Sequence, residues 1–265
     1  MKPNSTTGGG ARTLEVLFTP ADFGALKHRD LSTTTCVVFD VLRATSTMAT
    51  ALANGAAAII PVEEIAEALA LRKRQPGLLL AGERDGVRIQ ASLTGSLPFD
   101  LGNSPREFTP ERVRGRTIAT TTTNGTRALR ACARARTALI GSFLNLRATA
   151  LFIGSPDDLL LVCSGTYDQA AYEDVLAAGA LCDAIWPKYE NGRVADSARM
   201  ARSLFQLEQE DLPAAFARSR NGRRLLDLPE LSADVAYCAQ RDTLDLVAEL
   251  GPDGSVRKRE IGDQR

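Results

Sequence analysis

Short runs of aliphatic and β-branched residues alternate along the chain with longer segments whose apolar positions recur at helical spacing. TLEVLFTP, TTCVVFDVL, AAAIIPV, LLLAGE, TIATTTT, TALIGS and LLLVCSG have the length and residue types of strands. Between them ATSTMATALANGA, EEIAEALALRKRQ, SPREFTPERVRG, GTRALRACARA, NLRATALFIG and AYEDVLAAGALCDAI read as helices. Strand and helix in strict alternation predict an α/β fold, a mainly parallel or mixed sheet held between helical layers. After Trp186 the pattern turns polar and helical, through DSARMARSLFQLEQEDLPAAFARSR, and a last strand is expected at DLVAEL. Neither a repeat nor a low-complexity linker cuts the chain. A flexible N-terminus over residues 1–12 is therefore expected to lead into a single α/β domain over 13–265, with a division into two subdomains left open.

Charge narrows the partners. Among 265 residues, Lys and Arg together number 32 and so do Asp and Glu, so no global field draws the chain to nucleic acid or to an anionic membrane. Any anion must be held locally, and most of the basic residues are Arg, whose planar fork suits oxyanions. The five cysteines are scattered without a CxxC pair, which argues for small core residues rather than disulfides or structural zinc. MKPNSTTGGGAR has no apolar signal segment, and no stretch is long and apolar enough to span a bilayer, so a cytoplasmic protein is expected.

TTTTNGTRAL carries the first candidate chemistry. Asn-Gly between strands usually makes a hairpin, but a buried parallel strand cannot turn back in two residues, so Asn124-Gly125 is expected to open a crossover helix. Asn124 then falls near the N-cap, and the N–H groups at 124–126 would form an anion cradle that Gly125 lets a ligand approach. Two further strand ends resemble it. VVFDVLRATST sets Asp40 and Arg43 before a Thr-rich helix start, and LLLAGE ends on Gly82-Glu83, followed later by Gly102-Asn103-Ser104-Pro105 with Ser104 placed to cap. Glu173-Asp174 opens the helix after LLLVCSG.

Singly, each residue has a structural role available: Asp40 as a cap, Arg43 as a surface ion-pair partner, Glu83 as a loop carboxylate, Glu173-Asp174 as helix-dipole partners. Together on one sheet edge, carboxylates, an arginine and small-residue turns suit a phosphorylated substrate with a hard divalent cation. Other chemistries lack their parts. Cys36 lies inside a strand at the wrong spacing from Arg43 for a cysteine phosphatase; FDVL has one Asp where aspartyl-phosphate enzymes of the haloacid dehalogenase type have two; and GGGAR is not a phosphate loop. The only histidine, His28, has no base or nucleophile motif near it and reads as a surface residue.

FDVLRATST, AGER, DLGNSPRE, TTTTNGTRAL and YEDVLAAGALCDAI, in that order, resemble the 2-phosphosulfolactate phosphatase family, and NGRRLLDL and DVAYCAQRD extend the resemblance toward LVAEL. The resemblance implies a Mg²⁺-dependent phosphoric monoester hydrolase with a family-specific α/β fold, hydrolysing 2-phosphosulfolactate to sulfolactate and phosphate as a step toward coenzyme M. It places Asp40, Arg43 and Glu83 in catalysis. Asn103, Ser104, Thr123, Asn124, Gly125 and Thr126 fall to substrate binding, and Asp40, Glu83, Glu173 and Asp174 to Mg²⁺. The segment from Arg84 to Gly102 is longer than the pattern leads one to expect, which leaves open another small 2-phospho acid as substrate. A non-catalytic protein that binds a phosphorylated or sulfonated metabolite is the alternative of a different class, and a homodimer is left open.

Overall fold

The computed structural model describes residues 11–259. The flexible N-terminus expected over 1–12 falls almost wholly outside them.

Eleven strands form one mixed sheet: β1 Thr13–Leu17, β2 Thr34–Phe39, β3 Ala58–Pro61, β4 Leu79–Arg84, β5 Val87–Arg88, β6 Thr117–Thr121, β7 Thr137–Gly141, β8 Asp158–Cys163, β9 Arg193–Val194, β10 Val247–Leu250 and β11 Val256–Arg259. Their order is β5-β4-β6-β3-β11-β10-β7-β2-β8-β1-β9. Every strand expected from the apolar runs is present, while the two-residue β5 and β9 are too short to carry a periodic signal. The expected last strand is not the last. DLVAEL supplies β10, and the charged VRKR of β11 returns antiparallel to it, with Val256 its only buried residue.

That hairpin breaks the sheet into two parallel blocks. β3, β4 and β6 pair in parallel on one side, and β7, β2, β8, β1 and β9 on the other. Between them the contacts β3–β11, β11–β10 and β10–β7 are all antiparallel, so the two blocks run in opposite senses. A single sheet edge carrying every strand end, as the alternation suggests, is thus not what forms. Loops from the carboxyl ends of both blocks nevertheless reach one shared cleft.

The β2/β8 block is covered on both faces, which is why its sequence is continuously apolar. Val37, Phe39, Leu159, Leu161 and Cys163 point to one core, packed under the helices Tyr172–Ile185 and Asp196–Glu208. Cys36, Val38, Leu160 and Val162 point to a second core, filled by Met48, Ala51 and Leu52 of the helix Ala44–Ala53 and by Ala128 and Leu129 of the helix Gly125–Ala131. A smaller core of Val62, Leu78, Leu80, Ile89 and Phe99 lies under the other block. All five cysteines are buried and unpaired. No helix among the described residues is long and apolar enough to cross a membrane.

The helix Ala44–Ala53 is rich in Thr, a weak helix former, yet it is buried from Ala44 to Leu52. Its hydroxyls find carbonyl partners: Ser46 donates to Val41 O at 2.8 Å, Thr50 to Ser46 O at 2.8 Å and Thr47 to Asn103 O at 2.8 Å. Local back-bonding makes burial affordable for the first two, and the third ties the helix to the Asn103 turn.

Candidate active site

Asp40, Arg43, Glu83, Asn103, Thr123, Asn124 and Asp174 line one cleft of about 610 Å³, mouth included. Asp40 follows β2, Glu83 sits near the end of β4, Thr123 and Asn124 follow β6, and Asp174 begins the long helix after β8. Strand-end loops of both blocks therefore meet here. Ser104, Gly125, Thr126 and Glu173 are buried and do not line it, and Glu173 lines a neighbouring cavity with Asn221.

The carboxylates divide into two kinds. Glu83 accepts the Thr123 N–H and hydroxyl on Oε1, both at 3.0 Å, and the Gly86 N–H on Oε2 at 2.7 Å. Asp174 accepts Val41 N–H on Oδ1 at 2.8 Å and Gly165 N–H on Oδ2 at 3.1 Å. Each of these ties loops together with both oxygens. Asp40 and Glu173 are less engaged. Asp40 Oδ1 accepts Ala44 N–H at 3.1 Å, while Glu173 Oε1 accepts from Asn221 at 2.5 Å and its buried Oε2 has no partner.

Low dielectric and like charge act together on this group. Burial pushes the Asp40 carboxyl up to about 7, with the charges of Glu83 and Glu173 adding to it and the Ala44 N–H and Arg43 opposing. Burial likewise raises Asp174 well above the usual carboxylate range, and there Glu173 and Asp40 add to it. Glu173 is raised by burial against the bond from Asn221. In the cleft wall as a whole, four carboxylates (Asp40, Glu83, Asp85 and Asp174) face two guanidiniums, Arg43 and Arg224.

Arg43 is not a surface ion-pair residue. Its side chain is 2% exposed; Nη1 donates to Asp234 Oδ2 at 2.7 Å and Nη2 to Gly86 O at 2.6 Å. Asp234, wholly buried in the helix Ala233–Cys238, also accepts the Ser104 hydroxyl at 2.7 Å. Ser104 occupies the N-cap position of the short 3₁₀ turn Pro105–Glu107, but its side chain serves Asp234 instead of capping.

The Asn124-Gly125 turn does open a helix, Gly125–Ala131, with Asn124 at the N-cap position and no side-chain cap bond. A Cβ at Gly125 would stand 2.7 Å from Asp40 Oδ2 and 2.8 Å from Ala44 Cβ, so the glycine makes room for Asp40. Thr126 donates to Thr122 O at 3.2 Å, within its own turn. Gly82, with φ +149°, permits β4 to lie against the Thr121 carbonyl just before Glu83. His28 is exposed, as expected.

Three contributors escape the strand-end pattern: Asp234, Asn221 and Arg224. Asn221 and Arg224 lie in NGRRLLDL and Asp234 in DVAYCAQRD, both of which carry the family resemblance but give no local signature of a site. Loop residues Gly165, Thr166 and Tyr167 complete the wall.

Among the described residues no three Asp, Glu, His or Cys side chains converge on one point at ligand distance. Mg²⁺ asks for less, one or two carboxylates with water and substrate oxygens filling the rest. Asp40 and Asp174 in the wall, both raised by burial and by the charge of Glu173, have the hard oxygens that such an ion takes and the crowding of like charge that it relieves.

A family model for 2-phosphosulpholactate phosphatase matches residues 23–252. Over 240 residues the chain is 38% identical to a probable 2-phosphosulfolactate phosphatase of Caldanaerobacter subterraneus, covering 89% of this chain and 95% of that protein. It is 39% identical over 216 residues to a protein of the same description from Thermotoga petrophila, with coverages of 82% and 88%. To one from a Synechococcus it is 41% identical over 221 residues, with coverages of 80% and 87%. A match of this extent, over a chain whose strand ends assemble the motifs into one cleft, means that the protein belongs to the 2-phosphosulpholactate phosphatase family of phosphoric monoester hydrolases.

Proposed function

We propose that the chain hydrolyses 2-phosphosulfolactate to sulfolactate and phosphate with Mg²⁺ in the cleft, a step toward coenzyme M. One observation carries the reading. A cleft wall with twice as many carboxylates as guanidiniums, two of the carboxylates raised by burial and like charge, receives a polyanionic substrate best with a cation beside it. A purely anion-binding protein gains nothing from such a wall, which argues against the non-catalytic alternative.

Asp40 and Asp174 would hold the ion, which when bound neutralises phosphoryl charge and makes a coordinated water a better nucleophile. Asp40, in the wall just past β2, would take the proton of the attacking water. As the water oxygen bonds to phosphorus, the bond from phosphorus to the C2 oxygen breaks and the alkoxide collects a proton from solvent. Arg43, fixed by Asp234 and Gly86 O, directs its remaining N–H bonds at the phosphoryl oxygens without reorganising. Glu83 holds the Thr123 and Gly86 loops that shape the wall, and Asn103 and Asn124 offer neutral amides to the substrate.

Phosphate release from 2-phosphosulfolactate, 2-phospholactate and 3-phosphoglycerate, each with and without Mg²⁺, tests the reading. The sulfonate is expected to be preferred by kcat/KM and only with Mg²⁺ present; a preference for either of the others would assign the site to another small phospho acid.

A further inference from the structure

At the mouth of the cleft two tight turns carry side chains into the wall. Asp85 (φ 56°) and Gly86 (φ 79°) make the two-residue turn between β4 and β5, where Arg84 pairs with Val87. Tyr167 (φ 51°) and Asp168 (φ 59°) make another, closed by the Thr166 N–H to Gln169 O at 2.8 Å and the Gln169 N–H to Thr166 O at 3.1 Å. Asp85 and Tyr167 line the cleft, and Tyr167 is 56% exposed. Arg224 joins the two turns: its Nη1 donates to the Tyr167 hydroxyl at 2.8 Å, and its Nη2 donates to Asp85 O at 2.8 Å and reaches Asp85 Oδ1 at 3.4 Å.

The two guanidiniums of the wall are thus in different conditions. Arg43 is buried and already neutralised by Asp234. Arg224 is 41% exposed, and its one carboxylate partner is 79% exposed and 3.4 Å away, so an incoming oxyanion can take that partner's place at little cost.

We propose that Arg224 and the Tyr167 hydroxyl form a distal subsite for the second acid group of the substrate, the sulfonate or carboxylate beyond the phosphate. The inference rests on the proposed phosphatase reading and adds the residues that select the substrate class. A guanidinium presents paired donors to two oxygens of such a group, and the phenol supplies a further donor once Arg224 turns from it to the ligand.

The test compares wild type, Arg224→Met, Arg224→Lys and Tyr167→Phe on 2-phosphosulfolactate and on p-nitrophenyl phosphate, which has no second acid. It reads the ratio of the two kcat/KM values and, by calorimetry, the affinity for sulfolactate. Arg224→Met is expected to lower the ratio at least roughly tenfold through KM, and to weaken sulfolactate by a similar factor. Arg224→Lys should recover part of the loss, and Tyr167→Phe should shift the ratio the same way by less. An unchanged ratio, whether both substrates suffer equally or neither does, overturns the subsite. A wild type that hydrolyses p-nitrophenyl phosphate but not 2-phosphosulfolactate defeats the proposed function instead; the subsite is then decided by the same ratio taken with 2-phospholactate.

Discussion

The floor and the mouth of the cleft each hold an arginine against an aspartate, and the two pairs behave as opposites. At the floor Arg43 and Asp234 are 2.7 Å apart with side chains 2% and 0% exposed. At the mouth Arg224 and Asp85 are 3.4 Å apart with side chains 41% and 79% exposed. A buried pair is rigid because neither charge can return to water, and it holds the guanidinium in one place before a ligand arrives. An exposed pair costs little to open, so its arginine can exchange one partner for another. On the proposed reading, the same two residue types would give preorganisation where phosphate is transferred and adaptability where the rest of the substrate is recognised.

The sharpest way to break this contrast is to strand the floor charge. Asp234→Ala leaves Arg43 buried without its counter-ion and removes the acceptor of Ser104, and is expected to destabilise the fold by about 3–5 kcal/mol in chemical denaturation. A loss below about 1 kcal/mol would mean that water reaches Arg43 and that floor and mouth are alike.

The next effect concerns pH in the metal-free protein. The folded Asp40 carboxyl lies at about 7 against an ordinary 3.8. The folded chain therefore holds a proton that the unfolded chain releases, and this group's contribution to stability falls as pH rises from about 4 to about 7. Asp174 and Glu173 shift in the same direction. With EDTA present, Asp40→Asn should raise the thermal midpoint relative to wild type at pH 7.5, and the gain should vanish near pH 4. A midpoint difference independent of pH would show that Asp40 is not raised.

The smallest effect belongs to the mouth. Asp85→Asn removes a weak, solvated partner of Arg224 and should change stability by less than about 1 kcal/mol, measured in the same denaturation experiment as Asp234→Ala. A cost comparable to that of the floor pair would erase the distinction between them.

Most of this architecture was legible because buried parallel strands announce themselves as short continuous apolar runs. Asp40, Glu83, Thr123 and Asn124 were legible for the same reason: they stand at or just past the ends of those runs. The reversal of sense between the two blocks was not, since it depends on β11, whose VRKR carries the charged alternation of a solvated edge although it pairs in the middle of the sheet. The contact of Gly125 with Asp40 was not legible, because a sequence shows that a Cβ is missing and not which neighbour fills the space. Asp234 and Arg224 were hidden for a plainer reason. They sit on short helices far along the chain, 191 residues from Arg43 in the case of Asp234, and only tertiary packing brings them to the cleft.

The central claim is that the surplus of carboxylates in the cleft is there for a cation that the reaction needs. Phosphate release from 2-phosphosulfolactate, followed before chelation, in excess EDTA and after Mg²⁺ is restored, tests it most directly, with Asp40→Asn measured in parallel. The account predicts loss of activity in EDTA, recovery on adding Mg²⁺, and a higher Mg²⁺ requirement for the variant. Full activity in excess EDTA would contradict it.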